Sequence, residues 1–426
     1  MGVLSAAASG LLAANQDLGT VAQNLANLDT VGYKSEQDLF TQMYMEALSG
    51  GSAPTAVVGG TDPLQVPTGS AVGLAQIATN FTEGSLQQTG IASNAALAGA
   101  GWFVVQSSQG QGYTRAGDFT TDANGNLVTP AGARVLGWSA AAVAAGTQSA
   151  TNLVPLSIPE NTTLAPTATT GATLSGNLDA SSATTAGSTT QIALPVTLYD
   201  GQGNTIAAQL VFSNPTVLAA GGVQWTAALM PAGSTTPYDG SGTTTPLTVT
   251  LTFAPGAAPT WSTPPTWTVP TTDGSPSVSF GLTNGDVSAL TSYAAATSAI
   301  ADANGSGVGT LSQYAVGTNG VITGTFSNGQ TSTLGQIAVA TFPNEGGLMS
   351  AGPSLWTPSP NAGPASIGIA GTGGRGSLVA GSVEQSNVTL ANQFTHMVAA
   401  QENYGANAKM LTVDQANNQA LINAVQ

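Results

Sequence analysis

Leucines recur every seven residues near the start of the chain, at Leu4, Leu11, Leu18 and Leu25. Three positions after each stand Ala7, Ala14, Val21 and Leu28. This is an a/d stripe over four heptads, the pattern of a helix that packs along another helix. Gly10 and Gly19 weaken it, since each costs about 1 kcal/mol relative to Ala inside a helix. The pattern predicts a stop between Asn27 and Gly32, where Asn and Gly accept left-handed C-terminal positions. The far end repeats the arrangement. Val383, Leu390, Met397, Tyr404 and Leu411 are spaced by seven, and Asn418 and Val425 continue the row. Phe394, Gln401, Ala408 and Ile422 sit on the adjacent edge of that face. A helix from about Ser386 to Asn423 is expected.

Between the helical ends the periodicity changes. From Ser35 to about Gly73 the chain reads as irregular, with Gly-Gly at 50–51 and 59–60. Strand patterns follow at Trp102 to Val105 and Val135 to Trp138. Phe119 to Val128 is folded at Asn124-Gly125, a strong hairpin signal. Residues 141–305 carry seven acidic residues and no Lys or Arg. Strands are predicted there at Ile192 to Leu198, Ile206 to Phe212 and Leu247 to Phe253, then at Val321 to Phe326 and Gln336 to Phe342. Short polar turns between strands suggest antiparallel sheets. The expected fold class is α+β, mainly β, with terminal helices forming a coiled-coil domain around nested, discontinuous antiparallel β-domains. The corresponding segments are 1–32 and 377–426 for the helical core, 33–73 for an irregular linker, 74–145 and 306–376 for an inner β-domain, and 146–305 for an inserted outer β-domain.

Composition narrows what such a chain can do. Only 6% of its 426 residues are charged, against about 25% in ordinary soluble proteins. The net charge is -15, which argues against nucleic acid, whose binding needs Lys and Arg on phosphates. It argues equally against an anionic membrane surface. No apolar run approaches the roughly 18 residues that span a bilayer. Cysteine is absent, which removes disulfides, thiolate metal sites and cysteine nucleophiles. Met1 to Ser5 lacks a basic region, so a secretory signal peptide is not expected.

The candidate chemistry is thin. Gly371 to Gly376 matches GxGxxG, but a dinucleotide site needs a strand before it, a helix after it and an acid about 20 positions on. No acid stands near 391, and a hinge before the last helix is the better reading. Asp122 to Asn126 and Asp302 to Gly307 look like starts of calcium loops. The first has Leu127 at loop position six and the second Gln313 at twelve, so both read as turns. His396 is the sole histidine and falls inside the C-terminal heptads. No catalytic, cofactor or metal site is expected, and no enzymatic activity. The terminal stripes carry more weight. Two helices with narrow seams and nearly uncharged outer faces are poorly solubilised as an isolated pair, and a lone helix of this kind is marginal in water. Packing of many copies would order them.

Two stretches make a resemblance specific. Ser9-Gly10-Leu11 followed by Gln23 to Lys34, with Asn24, Asn27, Gly32 and Tyr33, resembles the N-terminal signature of the flagellar rod and hook proteins, the axial family. Ser386-Asn387-Val388-Thr389-Leu390, Phe394 to Met397 and Gln401 to Lys409, with Asn407, are similar to its C-terminal signature. Leu174 to Ala180, Leu198 to Asn204 and Gly335 to Leu348 resemble the hook branch of that family. Glu402 departs from it, standing where relatives commonly carry a basic residue. The resemblance implies a structural subunit that self-assembles into the flagellar hook, a curved flexible tube passing torque from rod to filament. A distal-rod or hook–filament junction subunit is the alternative, and a secreted β-rich adhesin a remoter one. It further implies export through the flagellar type III apparatus to an extracellular site. The implied partners are other copies in a helical homopolymer, the distal rod protein, the hook cap protein and the hook–filament junction protein. The polymer-core seam is then expected at Leu4, Leu11, Leu18, Val21, Leu25, Leu28, Leu390, Phe394, Met397, Tyr404, Leu411 and Ile422.

Overall fold

The computed structural model describes residues 2–44, 70–159, 161–184, 188–271 and 274–425. The chain forms two compact units. The first comprises Met1–Pro159, Tyr314–Thr323 and Thr333–Gln426; the second comprises Glu160–Gln313 and Gly324–Ser332.

In the first unit the heptads form helices α1 (Gly2–Ala26) and α3 (Leu390–Val425). A one-turn helix, α2 (Ala140–Ala144), is capped by Ser139, whose hydroxyl accepts from the Ala142 amide. α1 ends within a residue of the expected stop, and Gly32 beyond it takes a positive φ of 68°. α3 starts later than expected. Val383 belongs to a short strand, Ser382–Glu384, that pairs with Leu86–Gln88. The side chain of Asn387 is committed to bonds with other segments before the helix begins.

The segment 33–73 departs from its expected irregularity. Strand β1 (Glu36–Tyr44) pairs antiparallel with β2 (Ser70–Thr79), and the register slips between Leu39 and Phe40. The Gly-Gly pairs at 50–51 and 59–60 lie outside the described residues.

Beside this arm stands an antiparallel sheet. Trp102–Ser107 runs between Gly110–Thr114 and Arg134–Ser139. The stretch Gly335–Thr341 pairs with Arg134–Ser139 and with the start of the Trp102 strand. Four consecutive apolar residues, Trp102 to Val105, are all fully buried, so both faces of that strand are covered. Trp102 and Val104 join Tyr113, Trp138, Phe342 and Trp356 on one side. Phe103 meets Phe119 edge to face at 5.0 Å on the other. The Asn124-Gly125 hairpin forms, pairing Thr120–Thr121 with Leu127–Val128. Asp122 closes it: Oδ1 accepts from the amides of Asn124 and Asn126, and Oδ2 from the Asn126 side chain, each at 2.8 Å.

The second unit is built on a five-stranded antiparallel sheet ordered Gln191–Tyr199, Thr205–Val217, Val223–Pro231, Val249–Phe253 and Thr260–Trp261. Two three-stranded sheets complete it. Alternation is strict where one face is buried: Leu194, Val196 and Leu198 point inward and their neighbours outward. These close on Leu210, Phe212, Trp225, Trp267 and Phe280 in one core. Ser175–Asn177 pairs in parallel with Ala289–Thr291. The Asp122 device recurs at Asp200, which accepts from the amides of Gln202 and Asn204 and from the Asn204 side chain. At Asp302 to Gly307 the working group is Asn304, whose Oδ1 accepts from the amides of Thr170 and Gly171.

Candidate functional site

α1 and α3 lie antiparallel. At one level the Asn24 side-chain amide donates to Gln393 Oε1 at 3.4 Å. At another a Cβ on Gly10 would stand 2.7 Å from the Asn407 side chain. The intervals agree, 24 − 10 = 14 and 407 − 393 = 14, so one register holds over four turns. Among the described side chains, those buried on α1 are Ala7, Ala14, Thr20, Val21 and Asn24, and on α3 Gln393 and Ala400. Alanines are thus prominent at this contact, and Gly10 leaves the space that the Asn407 side chain occupies.

Of the large apolar residues expected along the polymer-core seam, Val21 is buried within the chain. Leu11, Leu18, Leu25, Leu28, Met397 and Leu411 are half-buried along its flanks. Leu390, Phe394, Tyr404 and Ile422 are exposed, Phe394 by 52%. The side chain of Leu4 lies outside the described residues. His396 is exposed and lines a polar cleft of about 180 Å³ with Asp17, Asn24, Glu36 and Gln393.

The signature residues tie the helix ends to the sheet. Asn24 Oδ1 accepts from the Glu36 amide at 2.9 Å and the Tyr33 hydroxyl at 3.2 Å, while its Nδ2 donates to the Glu36 carbonyl at 2.7 Å. One side chain thus pairs with the first residue of β1 as a strand would. Burial, then the nearby Glu36 charge, pushes the Tyr33 phenol up to about 12. Asn27 accepts from Thr30 and closes the end of α1. Gly32 donates to the Glu384 carbonyl at 2.8 Å. A Cβ there would stand 2.5 Å from the Ala116 amide nitrogen, so the close approach and the positive φ both require glycine. Asn387 Oδ1 accepts from the Ser35 amide at 2.7 Å, and its Nδ2 donates to the carbonyls of Asn80 and Thr82. Ser386 Oγ accepts from the Val388 amide just before α3.

Beneath them lies an ionic group that periodicity did not reveal. Glu384 is fully buried and receives Lys34 Nζ at 2.6 Å on one oxygen and Arg115 Nη1 at 3.2 Å on the other. The Gly84 amide also donates to it, at 2.8 Å. Arg115 donates to the Gly99 carbonyl and stands 5.6 Å from the Trp102 ring centre. Desolvation lowers the Lys34 pKa, opposed by the Glu384 charge. The group joins the residue after Tyr33, the inner sheet and the strand leading to α3. Of its members, only Lys34 falls inside a signature stretch; Arg115 is another of the chain's five basic residues.

Among the described residues no group of three or more His, Cys, Asp or Glu side chains could hold a metal ion. No described helix is long and apolar enough to cross a membrane. The site is a set of helix faces and locking bonds.

Three segments of the chain match known families. Residues 4–34 match the flagella basal body rod protein family. Residues 96–173 match the flagellar hook protein FlgE/F/G D1 domain, and 379–424 the C-terminal region of flagellar basal body rod FlgEFG proteins. The flagellar hook protein FlgE of Borreliella burgdorferi is 31% identical over 448 aligned positions, covering 97% of each chain. The flagellar hook protein FlgE of Escherichia coli is 31% identical, covering 97% of this chain and 98% of its own. The crystal structure of Helicobacter pylori flagellar hook protein FlgE2 aligns with 70% of this chain and 99% of its own, at 16% identity and a TM-score of 0.49. The assignment rests on the near-full-length sequence matches: this chain belongs to the flagellar hook protein family and is a structural subunit of the bacterial hook.

Proposed function

We propose that this hook subunit polymerises through its terminal helices, and that their unpaired faces are completed by neighbouring copies. The observation that carries the reading is the division of labour across α1 and α3. Small residues make the contact within one chain, while Leu12, Leu390, Phe394, Val398, Tyr404, Met410, Val413 and Ile422 remain exposed. Each large apolar side chain contributes roughly 1.5–3 kcal/mol when buried. The seam named from the heptads, Leu4 to Leu28 and Leu390 to Ile422, then has two parts: flanking residues shared with the chain's own helix pair, and exposed residues given to other copies.

On this reading the chain has a helical core domain, an inner β-domain and an outer inserted one. The helices form the tube wall, and the β-rich remainder supplies outer contacts that shift as a curved tube rotates. Weakly charged surfaces suit contacts that re-form repeatedly. The tube transmits torque from rod to filament, outside the cell. Its partners are the distal rod protein, the hook cap protein, the hook–filament junction protein and the type III export apparatus. Deleting the gene and imaging the cells tests the reading. Cells with basal bodies but no hooks are expected; complete flagella and normal motility contradict it.

A further inference from the structure

Past Gly2 at the start of α1, the two long helices hold Gly10, Gly19 and Gly405, and only one of these three has a reason within the chain. Gly10 makes room for Asn407. Gly19 of α1 and Gly405 of α3 make room for nothing: a Cβ at either position meets no heavy atom within 4 Å. Neither has the positive φ that demands glycine. Each lowers the population of its helix roughly fivefold relative to alanine. Glycine at such a place is useful where another backbone or side chain comes very close.

We infer that Gly19 and Gly405 are notches in which helices of a second copy of this chain make their closest approach. The inference rests on the assembly reading above and adds where the contact is tightest. Register supports it. Paired positions on α1 and α3 sum to 417, from 10 + 407 and from 24 + 393. Gly19 is therefore level with Val398, and Gly405 with Leu12. Val398 is 57% exposed and Leu12 is 72% exposed. At two levels one heptad apart, one helix carries a notch and the other a bare apolar side chain.

Two features favour a second copy as the occupant. First, the α1–α3 seam continues past its partner. By the same register Gly2 is level with 415, so the last ten residues of α3, 416–425, extend beyond α1. Ile422 in that stretch is 53% exposed. Second, the whole chain carries a net charge of -15, yet the notch and knob positions are uncharged. A like copy can cover them without burying charge against charge.

The test uses purified full-length subunits elongating isolated hook fragments. Gly19→Ala and Gly405→Ala should leave the helix content of the free subunit unchanged or higher, and should slow elongation roughly tenfold, the size of effect an overpacked methyl carries. Equal elongation by variant and wild type overturns the inference. So does lower helix content in the free variants, which would place the need for glycine inside the monomer. Failure of the wild-type subunit to elongate the fragments overturns the assembly reading itself, so the two failures are distinguishable. A variant that elongates fragments normally but is not exported in cells also counts against the notches.

Discussion

The second unit and the terminal helix pair satisfy their apolar residues in opposite ways. In the second unit Trp225, Trp267, Phe212 and Phe280 are fully buried in one core. In the helix pair the buried apolar residues are mostly alanines, while Phe394 and Val398 are more than half exposed. One region covers its large apolar residues within the chain; the other leaves several of them exposed. On the assembly proposed above, a polymer subunit keeps its capacity for association in apolar faces left uncovered beside a seam rich in alanine.

The largest effect is expected at the lock that holds both helix ends to the sheet. Glu384→Ala leaves Lys34 and Arg115 buried without their carboxylate, and breaking such a group costs about 3–5 kcal/mol. In urea the first unit should unfold at clearly lower concentration, while the transition of residues 160–313 stays in place. A common shift of both would erase the distinction between the units. Next comes overpacking of the seam. Ala400 is 1% exposed, and Ala400→Leu should cost about 1–3 kcal/mol, read as faster proteolysis of both ends of the free subunit. An unchanged cleavage rate would mean that α1 and α3 are not held together through this row. A much smaller effect on the free subunit is expected at the uncovered face. Phe394→Ser should change its stability by no more than about 0.5 kcal/mol while reducing polymer yield. Equal loss in subunit and polymer would assign Phe394 to the monomer.

The subtlest contrast is in pH. Burial raises the Asp17 and Glu36 pKa values at the helix junction, with the Asp38 charge adding to both. A raised folded pKa gives stability that is present below the unfolded values, 3.8 and 4.5, and lost as pH rises through the folded ones. Asp200 is shifted the other way, chiefly by the Asn204 side chain, so its stabilisation is present above 3.8 and lost as pH falls through its folded value. Carboxyl titration followed by NMR should show Asp17 and Glu36 protonating before Asp200 on acidification. The reverse order would contradict the placement of these groups.

Much of this was legible in the sequence because it is local. Heptads report helices, Asn124-Gly125 reports its hairpin, and the alternation from Ile192 to Leu198 reports a half-buried strand. The Glu384 group was not legible, since its members come from positions 34, 115 and 384 and follow no period. The β1–β2 arm was obscured because its strands stand on either side of a Gly- and Pro-containing stretch, and their pairing is long-range. Heptad spacing located the helix faces but not their assignment. Leu390 and Ala400 both belong to α3, and only the register with α1 shows which face the chain keeps and which it leaves open.

That assignment is tested most directly by amide hydrogen exchange on the free subunit and on the assembled polymer. The expected result is clearly slower exchange along α1 and α3 in the polymer than in the free subunit, with little change across residues 188–271. Equal protection of the helices in the two states would contradict it.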